Sequence, residues 1–425
     1  MTGKTKILLT LVCSFLFAAS FVFGQAPKPD APLTWSDCVS IASHNNPDLA
    51  AAQNALEASR ASYYGSYNGL YPQISLSNSY SGTNTPGSEI YQAGGSVRLN
   101  VFNLSQVYGI KASHALVDQA EANLQQTSAT LRFNLRSAFA QLVFAQKNIE
   151  VSKSIADMRK TDDQLVILRY NSGTEYKGNM LRANAQLLQA NADLAQSIRD
   201  LRTAQRALNQ QLGLEEFSVI SVTSTLNVQD PGDLPGDEQA LVNARPDVIS
   251  QEAQVESAQA NLGQSKSNLW PNLSANYSEF SSAGSESSSF NSFQPSWGLT
   301  LSYPLFGGGP TAAYYAISAA KNNLESQDQN LRAIREQAIV DIETAWSNLK
   351  GAIDQLKVQA ALLQSAVTRY DEANIRYESG LISYDDWEII ASDFVSQEHQ
   401  TIQTQLSALD AEASWLKALG KQLED

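Results

Sequence analysis

Apolar and polar residues alternate along four short segments of the chain. In the first segment Ile74, Leu76 and Tyr80 alternate with serines, and the pattern returns around residues 97–101, 273–277 and 297–303. A two-residue period predicts β-strands with one apolar and one polar face, as in the strands of a membrane barrel. Stretches rich in Ser, Gly and Asn separate the members of each pair. The sequence therefore predicts two β-hairpins, at 71–102 and 271–306.

Elsewhere the apolar residues follow the period of a helix. Leu135 and Leu142 belong to one heptad seam, and Ile342, Leu349 and Val367 belong to another. No proline occurs at 87–230 or after residue 310, so helices in these stretches can continue for many turns. A glycine interrupts each run and a second helix returns. We therefore expect two long antiparallel helical hairpins, at 105–212 and 311–419, held together by coiled-coil packing.

Four landmarks occur twice, in the same order and with a nearly constant spacing. Asn46-Pro47-Asp48 matches Arg245-Pro246-Asp247, and the segment 70–72 matches 269–271. The Tyr-x-x-Gly segments at 170–173 and 377–380 match as well, as do the Leu-Gly pairs at 212 and 419. A period of about 200 residues indicates a duplicated domain rather than a solenoid. We assign repeat 1 to residues 25–213, a connector to 214–237, repeat 2 to 238–420 and a C-terminal tail to 421–425.

The first 24 residues have the features of an export signal. Lys4 and Lys6 precede an apolar run at 7–23, and Val22-Phe23-Gly24 offers small residues where a signal peptidase cleaves. A retained membrane anchor is the alternative interpretation. Val12 precedes Cys13 where lipidation needs a small residue, so a lipoprotein is not expected. Cys38 is then the lone cysteine of the mature chain, and a small packed residue is the expected role.

Composition narrows the function classes. The chain of 425 residues carries a formal net charge of −14, which argues against binding nucleic acid. Its mean hydropathy of −0.26 argues against a bundle of membrane-spanning helices. Three histidines and two cysteines offer little for a metal centre or a nucleophile. We expect no enzyme, no cofactor and no metal.

The strand count bears on the oligomeric state. In lipid every backbone N–H and C=O must be paired, so a membrane sheet must close, and the smallest barrels have eight strands. One chain offers four, so two chains would supply eight strands and three would supply twelve. The polar faces are mostly Ser, Asn, Gly and Thr, which favour a water-filled lumen and hence three chains. The exact number does not follow from strand count and lining alone.

These duplicated landmarks and Tyr-x-x-Gly turns resemble those of the TolC family of outer-membrane efflux proteins, over essentially the whole mature chain. The resemblance implies a mainly α protein with a membrane β-barrel. Its long antiparallel helical hairpins would form a trimeric α-helical barrel, a tunnel in the periplasm, continuous with a 12-stranded β-barrel in the outer membrane. It implies a homotrimer, outer-membrane lipid, a periplasmic adaptor and an inner-membrane transporter as partners.

The expected function is a passive channel-tunnel of a tripartite efflux pump or a type I secretion system. A structural coiled-coil surface protein or adhesin is the alternative, although it leaves the four strands unexplained.

The resemblance also implies site residues near the hairpin turns. The adaptor-docking tips would be Ser172, Gly173, Thr174, Ser379, Gly380 and Leu381, although each glycine also suits a helix C-cap. Acidic residues would narrow the periplasmic aperture at Asp385, Asp386 and Glu388. The family's second carboxylate position holds Ile389, so Glu388 is its substitute, and a helix N-terminus also favours these acids. A closing latch would use Tyr377, but Asn179 stands where the family has its acid.

Overall fold

The computed structural model describes residues 32–82, 89–214, 219–223, 228–234, 236–284, 292–303 and 311–424. The predicted export signal lies outside these ranges, as do the tips of both β-hairpins and the last residues of the second hairpin. The described residues form eight α-helices and four strands. In chain order these are α1 Trp35–Asn45, α2 Pro47–Ser66, β1 Gln73–Ser81, β2 Ile90–Phe102, α3 Leu104–Asn171, α4 Lys177–Leu212, α5 Glu238–Asn243, α6 Pro246–Ser267, β3 Asn272–Gly284, β4 Gln294–Ser302, α7 Ala312–Glu378 and α8 Tyr384–Ala418.

The four predicted strands form one antiparallel sheet in the order β1-β2-β3-β4. The register places Ser75, Ser96, Ser278 and Ser296 in one row across all four strands. The next row contains Ile74, Val97, Tyr277 and Trp297. Neighbouring rows point to opposite faces because side chains alternate along a strand. The sheet therefore has a polar face and an apolar face, as the alternation predicts.

None of the residues that the structure describes covers the apolar face of the sheet. Leu76 is 88 % exposed and Trp297 80 % exposed, and Ile74, Leu299 and Leu301 are similarly exposed. Soluble monomers rarely leave such a contiguous apolar surface in water. At the helix end of the sheet, exposed aromatics accompany it: Tyr71, Phe102, Trp270 and Tyr303.

Two very long helices give the molecule its length. The helix α3 has 68 residues, which corresponds to about 100 Å at 1.5 Å per residue. It begins where the Asn103 side chain accepts a hydrogen bond from the Gln106 backbone N–H. The helix α7 has 67 residues. Each is followed by a shorter returning helix, α4 or α8, so the two predicted helical hairpins are present.

The elements lie side by side as an open layer. Towards the sheet the order of packed helices is α2, α3, α6 and α7, and towards the hairpin turns it is α4, α3, α8 and α7. The strand order runs across the layer in the same sense as the helix order, with β1 at one edge and β4 at the other. The two repeats therefore meet in the middle of the layer, while α7 and β4 lie at one edge and α2, α4 and β1 at the other.

The interhelical seam of α7 agrees with the predicted one only in part, since Ile342 and Leu349 are buried as predicted but small or polar residues share the seam with them. The buried positions include Ala338, Ala345, Gln359, Ala366 and Ala373, a series of small or polar residues at multiples of seven. Of the large residues predicted in the seam, Val367 is 38 % exposed. Small side chains let helices approach closely, so alanines decide which face packs. Among the described helices, none is long and apolar enough to cross a membrane.

Both ends of the described chain are tied into the helical layer. Leu33 forms a parallel bridge to Val222 in the connector. Leu423 of the predicted tail is 2 % exposed, and its N–H donates to Ser128 on α3 at 3.0 Å. Cys38 is fully buried on α1, and burial raises the pKa of its thiol to about 12, which suits a packed residue.

Candidate functional site

Both hairpin turns have the same backbone geometry. Gly173 and Gly380 adopt φ angles of 79° and 73°. The N–H of Gly173 donates to Tyr170 and that of Gly380 to Tyr377, and in each turn the following N–H reaches back to an arginine carbonyl. This pair of bonds is a Schellman motif, which needs a residue in the left-handed region. The glycines are therefore C-caps, as their spacing allows, and the tip residues around them are exposed.

The helix after the second turn has a complete N-terminal cap. The Ser383 hydroxyl accepts from the Asp386 N–H at 3.2 Å and donates to the Asp386 carboxylate at 2.7 Å. Asp386 therefore serves the start of α8, while its side chain stays exposed beside Asp385. Asp385 lies 3.9 Å from Arg182 on α4. These two acids are at the tip, where the aperture is predicted, and the aperture itself stays a prediction.

Glu388, the third acid predicted at the aperture, lies between helices in the protomer. It is 4 % exposed. Its carboxylate accepts from Arg182 at 2.8 Å and from Ser392 at 2.6 Å, and also from Gln186. These three donors satisfy the hydrogen-bonding capacity of a carboxylate inside the protein. The side chain thus joins α8 to α4 instead of standing free at the surface, because residues three and four positions after Tyr384 lie on the buried face.

The residues predicted as a latch, Tyr377 and Asn179, meet at a third residue. Glu175, in the first turn, accepts from the Tyr377 hydroxyl at 2.9 Å and from the Asn179 amide at 2.7 Å. The resemblance to the TolC family placed the expected acid at position 179, where Asn179 stands, whereas the carboxylate that contacts Tyr377 is Glu175, four positions earlier. Glu175 was missed because it lies in the turn before α4, where the chain is not helical, and only its proximity to the predicted tip could have indicated it.

The two partners in this bond have opposite pKa shifts. Burial disfavours the charged form of Glu175, but hydrogen bonds from Asn179, the Tyr176 backbone and Tyr377 outweigh it and hold the pKa of Glu175 below its usual value. Burial, and then the bond to Glu175, raise the pKa of Tyr377 well above its usual value. At neutral pH the pair is therefore a protonated phenol that donates to a carboxylate, which is a strong type of hydrogen bond.

Aromatic and cationic groups hold Tyr377 in place from both sides. Its ring stacks on Trp387 with centroids 4.5 Å apart, and the Arg169 guanidinium lies 4.4 Å from its centroid. Arg169 also donates to the Tyr377 carbonyl, and the Trp387 indole donates to Asn374 at 2.6 Å. The side chains of repeat 1 thus contact those of repeat 2 directly above the turns. Among the described residues there is no cluster of His, Cys, Asp and Glu that could hold a metal ion.

Comparisons with known proteins agree with this architecture. The family model of the outer membrane efflux protein matches residues 38–214 and again 238–421, one match for each repeat. The chain therefore belongs to the outer membrane efflux protein family. Membership places it in the outer membrane with its long helical hairpins in the periplasm, and confirms the resemblance to the TolC family. The family is one of channels rather than enzymes, and the adhesin alternative does not fit it.

Solved structures share the fold at low sequence identity. The outer membrane protein VceC from Vibrio cholerae is 17 % identical, with a TM-score of 0.80 over 92 % of this chain and 96 % of that one. The Campylobacter jejuni CmeC channel is 18 % identical, with a TM-score of 0.80 over 92 % and 87 %. The Neisseria gonorrhoeae MtrE channel in its open state is 18 % identical, with a TM-score of 0.79 over 92 % and 89 %. Among curated protein sequences, none matches this chain.

Proposed function

We propose that three copies of this chain form one continuous duct, the passive exit channel of a tripartite efflux pump or a type I secretion system. The observation that carries the proposal is the open layer itself. Its four-stranded sheet has an uncovered apolar face, a polar face and two free edges, and the long helices continue from it. Three copies would supply twelve strands and close the sheet without an edge.

The helices at the edges of the layer support the same closure. On α4, Leu181 is 56 % exposed and Leu188 64 % exposed. On α7, at the opposite edge, Val340, Val358 and Leu362 are about half exposed. Each edge therefore offers apolar residues without a partner in the same chain. Joining α7 of one copy to α2 and α4 of the next would bury both sets while β4 pairs with β1.

The polar face of the sheet then lines the pore. Its serine row, with Ser75 and Ser96 hydroxyls 2.8 Å apart, offers small hydroxyl groups that leave room for water. At the other end, the exposed turns around Gly173 and Gly380 would dock a periplasmic adaptor that connects to an inner-membrane transporter. The energy for transport would come from that transporter, since a duct of this kind holds no nucleotide.

We further propose that the contact between Glu175 and Tyr377 is the closing latch of the tip. It joins the first turn to the last turn of α7, so opening the two hairpins must break it. Asp385 and Asp386 would form the acidic aperture around the narrow end and favour cations. The predicted pair of Tyr377 and Asn179 thus becomes a set of three residues centred on Glu175.

Purified full-length protein in planar bilayers tests the duct. Discrete single-channel currents, together with a particle mass of three chains, are the expected result. A matched pair of variants tests closure: Leu188→Asp at the α4 edge should dissociate the trimer, and Asp193→Asn, an exposed change on the same helix, should not. A monomer that stays folded in detergent with no channel activity would contradict the proposal.

A further inference from the structure

Above the tip, α3 buries three charged side chains against α8. Arg159, Asp162 and Asp163 are only 6–7 % exposed. One nitrogen of Arg159 donates to Ser392 on α8 at 3.1 Å, and the other lies 3.7 Å from an Asp162 oxygen. That nitrogen and that oxygen make no hydrogen bond with any described residue, and neither does the nearby Tyr384 hydroxyl. A buried carboxylate so poorly solvated is costly to keep charged.

Charged and titratable groups of the neighbouring helices lie in this region, and of these Arg159 acts directly on the Asp162 carboxyl. The charged and titratable groups are Arg159 and Asp163 on α3 itself, Arg182 on α4, Tyr370 and Asp371 on α7, and Tyr384 and Glu388 on α8. Three buried carboxylates, those of Asp162, Asp163 and Glu388, therefore face two guanidinium groups. The surplus negative charge lies between the two hairpins, where α3 meets α8.

We propose that the contact of α3 with α8 around Arg159, Asp162 and Asp163, here called the Asp162 seam, is a pH-dependent contact between the two hairpins. A proton on the Asp162 carboxyl stabilises the packing of α8 on α3. A neutral carboxyl removes the surplus charge and becomes a donor. The Tyr384 hydroxyl, which interacts electrostatically with Asp162 and has no hydrogen bond of its own, is then available as an acceptor. Acidification of the periplasm would hold the two hairpins together, and neutral pH would release them.

The direction of the effect follows from the burial of Asp162. Burial raises the pKa of its carboxyl from the usual 3.8 to about 6, and Arg159 opposes this shift only in part. Separating the hairpins exposes the carboxyl and returns its pKa towards the usual value. The packed seam therefore holds a proton that the separated seam loses, so raising the pH from about 4 to about 6 favours separation by up to roughly 100-fold, with little further change at higher pH.

Hydrogen exchange in the full-length protein in detergent tests the proposal without requiring ion conduction. The amides of residues 384–400 are measured at pH about 5 and about 7.5, after correction for the intrinsic pH dependence of exchange. We expect exchange through local opening to be roughly 10-fold faster at the higher pH, with the increase levelling off above pH about 6. Asp162→Asn, a neutral residue of the same shape, should keep these amides protected at both values.

The matched control is Asp157→Asn, an exposed change on the same helix, which should show the pH step of the unchanged protein. If the exchange rate of the protein without substitutions did not differ between these pH values, the proposal would be overturned, even if Asp162→Asn did not fold. An Asp162→Asn protein that keeps the step would overturn it as well. If the channel currents were lost but the pH-dependent change in hydrogen exchange remained, the result would contradict the proposed duct and not the proposed pH-dependent contact.

Discussion

The two hairpin turns have the same backbone but different side-chain roles. Gly173 and Gly380 close equivalent Schellman motifs with nearly equal φ angles. After the second turn, Ser383 caps α8 with its side chain, whereas α4 begins at Tyr176 without a side-chain cap. Tyr176 is also 81 % exposed, while Trp387, one turn into α8, is 1 % exposed.

The two copies of the turn share a backbone geometry but have different side-chain roles. The backbone geometry depends only on a glycine and on helix termination, so both copies keep it. The second copy carries the packed aromatic group, Tyr377 with Trp387, and the first copy carries the polar arms, Arg169 and Glu175, that contact it. A contact between repeats is thus built from residues that no longer match each other.

The largest expected effect comes from removing the aromatic anchor of repeat 2. Trp387→Ala should destabilise the start of α8 by about 3–5 kcal/mol, because it leaves a cavity beside Tyr377 and removes a hydrogen bond to Asn374. Hydrogen exchange of residues 384–395 measures it. Tyr176→Ala, the exposed aromatic of repeat 1, should change stability by less than about 0.5 kcal/mol. Similar losses in both variants would mean that the two turns are equally anchored.

The next effect isolates the polar arm of repeat 1. Glu175→Gln should weaken the latch by about 1–2 kcal/mol, because the acceptor of the Tyr377 hydroxyl loses its charge, and should raise the open probability in planar bilayers. Glu378→Gln, the exposed acid at the second turn, is the control and should leave it unchanged.

The latch should also respond to pH in its own way. Because the pKa of Glu175 is lowered in the folded protein, its contribution is present above the usual carboxyl value and is lost only as pH falls through the lowered one. The contribution of the latch is therefore constant between pH about 5 and 8, whereas the Asp162 seam still weakens between pH about 5 and 6. A latch contribution that disappeared within that range would show that Glu175 is not the acceptor.

Replacing either turn glycine tests what the two turns share. Gly173→Val and Gly380→Val should each cost about 1–2 kcal/mol locally, because an L-residue is strained at positive φ. Space is not the cause, since an added Cβ at Gly173 meets nothing within 4 Å. Both changes should weaken crosslinking to the adaptor and leave the trimer intact. Gly351→Val, within α7, is the control, and undiminished crosslinking at the turns would exclude them as docking points.

The smallest effect concerns the charge at the second turn. Asp386→Asn keeps a side-chain acceptor for the α8 cap but removes the charge, so the reversal potential should shift towards lower cation preference while the helix stays formed. Asp233→Asn in the connector removes the same charge at another exposed position and should have no such effect. An unchanged reversal potential in Asp386→Asn would remove this residue from the aperture.

The sequence by itself determined the elements and their repetition. Alternation at Ile74 and Leu76 is enough to predict a strand, and the absence of proline is enough to allow a helix as long as α3, because both signals act between neighbours in the chain. The duplicated Tyr-x-x-Gly turns likewise follow from local backbone needs. Element bounds shifted by only a few residues from those expected, as at the start of α4 at Lys177.

Tertiary structure alone decided which side chains meet. Glu175 accepts from Tyr377 across 202 positions of the sequence, and it precedes by four residues the position, 179, where the resemblance placed an acid. Glu388 reads as a surface acid in its sequence context, yet it is buried against Arg182. The seam of α7 contains Ile342 and Leu349 as predicted, but nearer the turns it follows Ala366 and Ala373 and leaves Val367 partly exposed. Such contacts depend on how whole helices rotate and approach one another. That arrangement results from packing summed along the helices, so it cannot be inferred from any single position in the sequence.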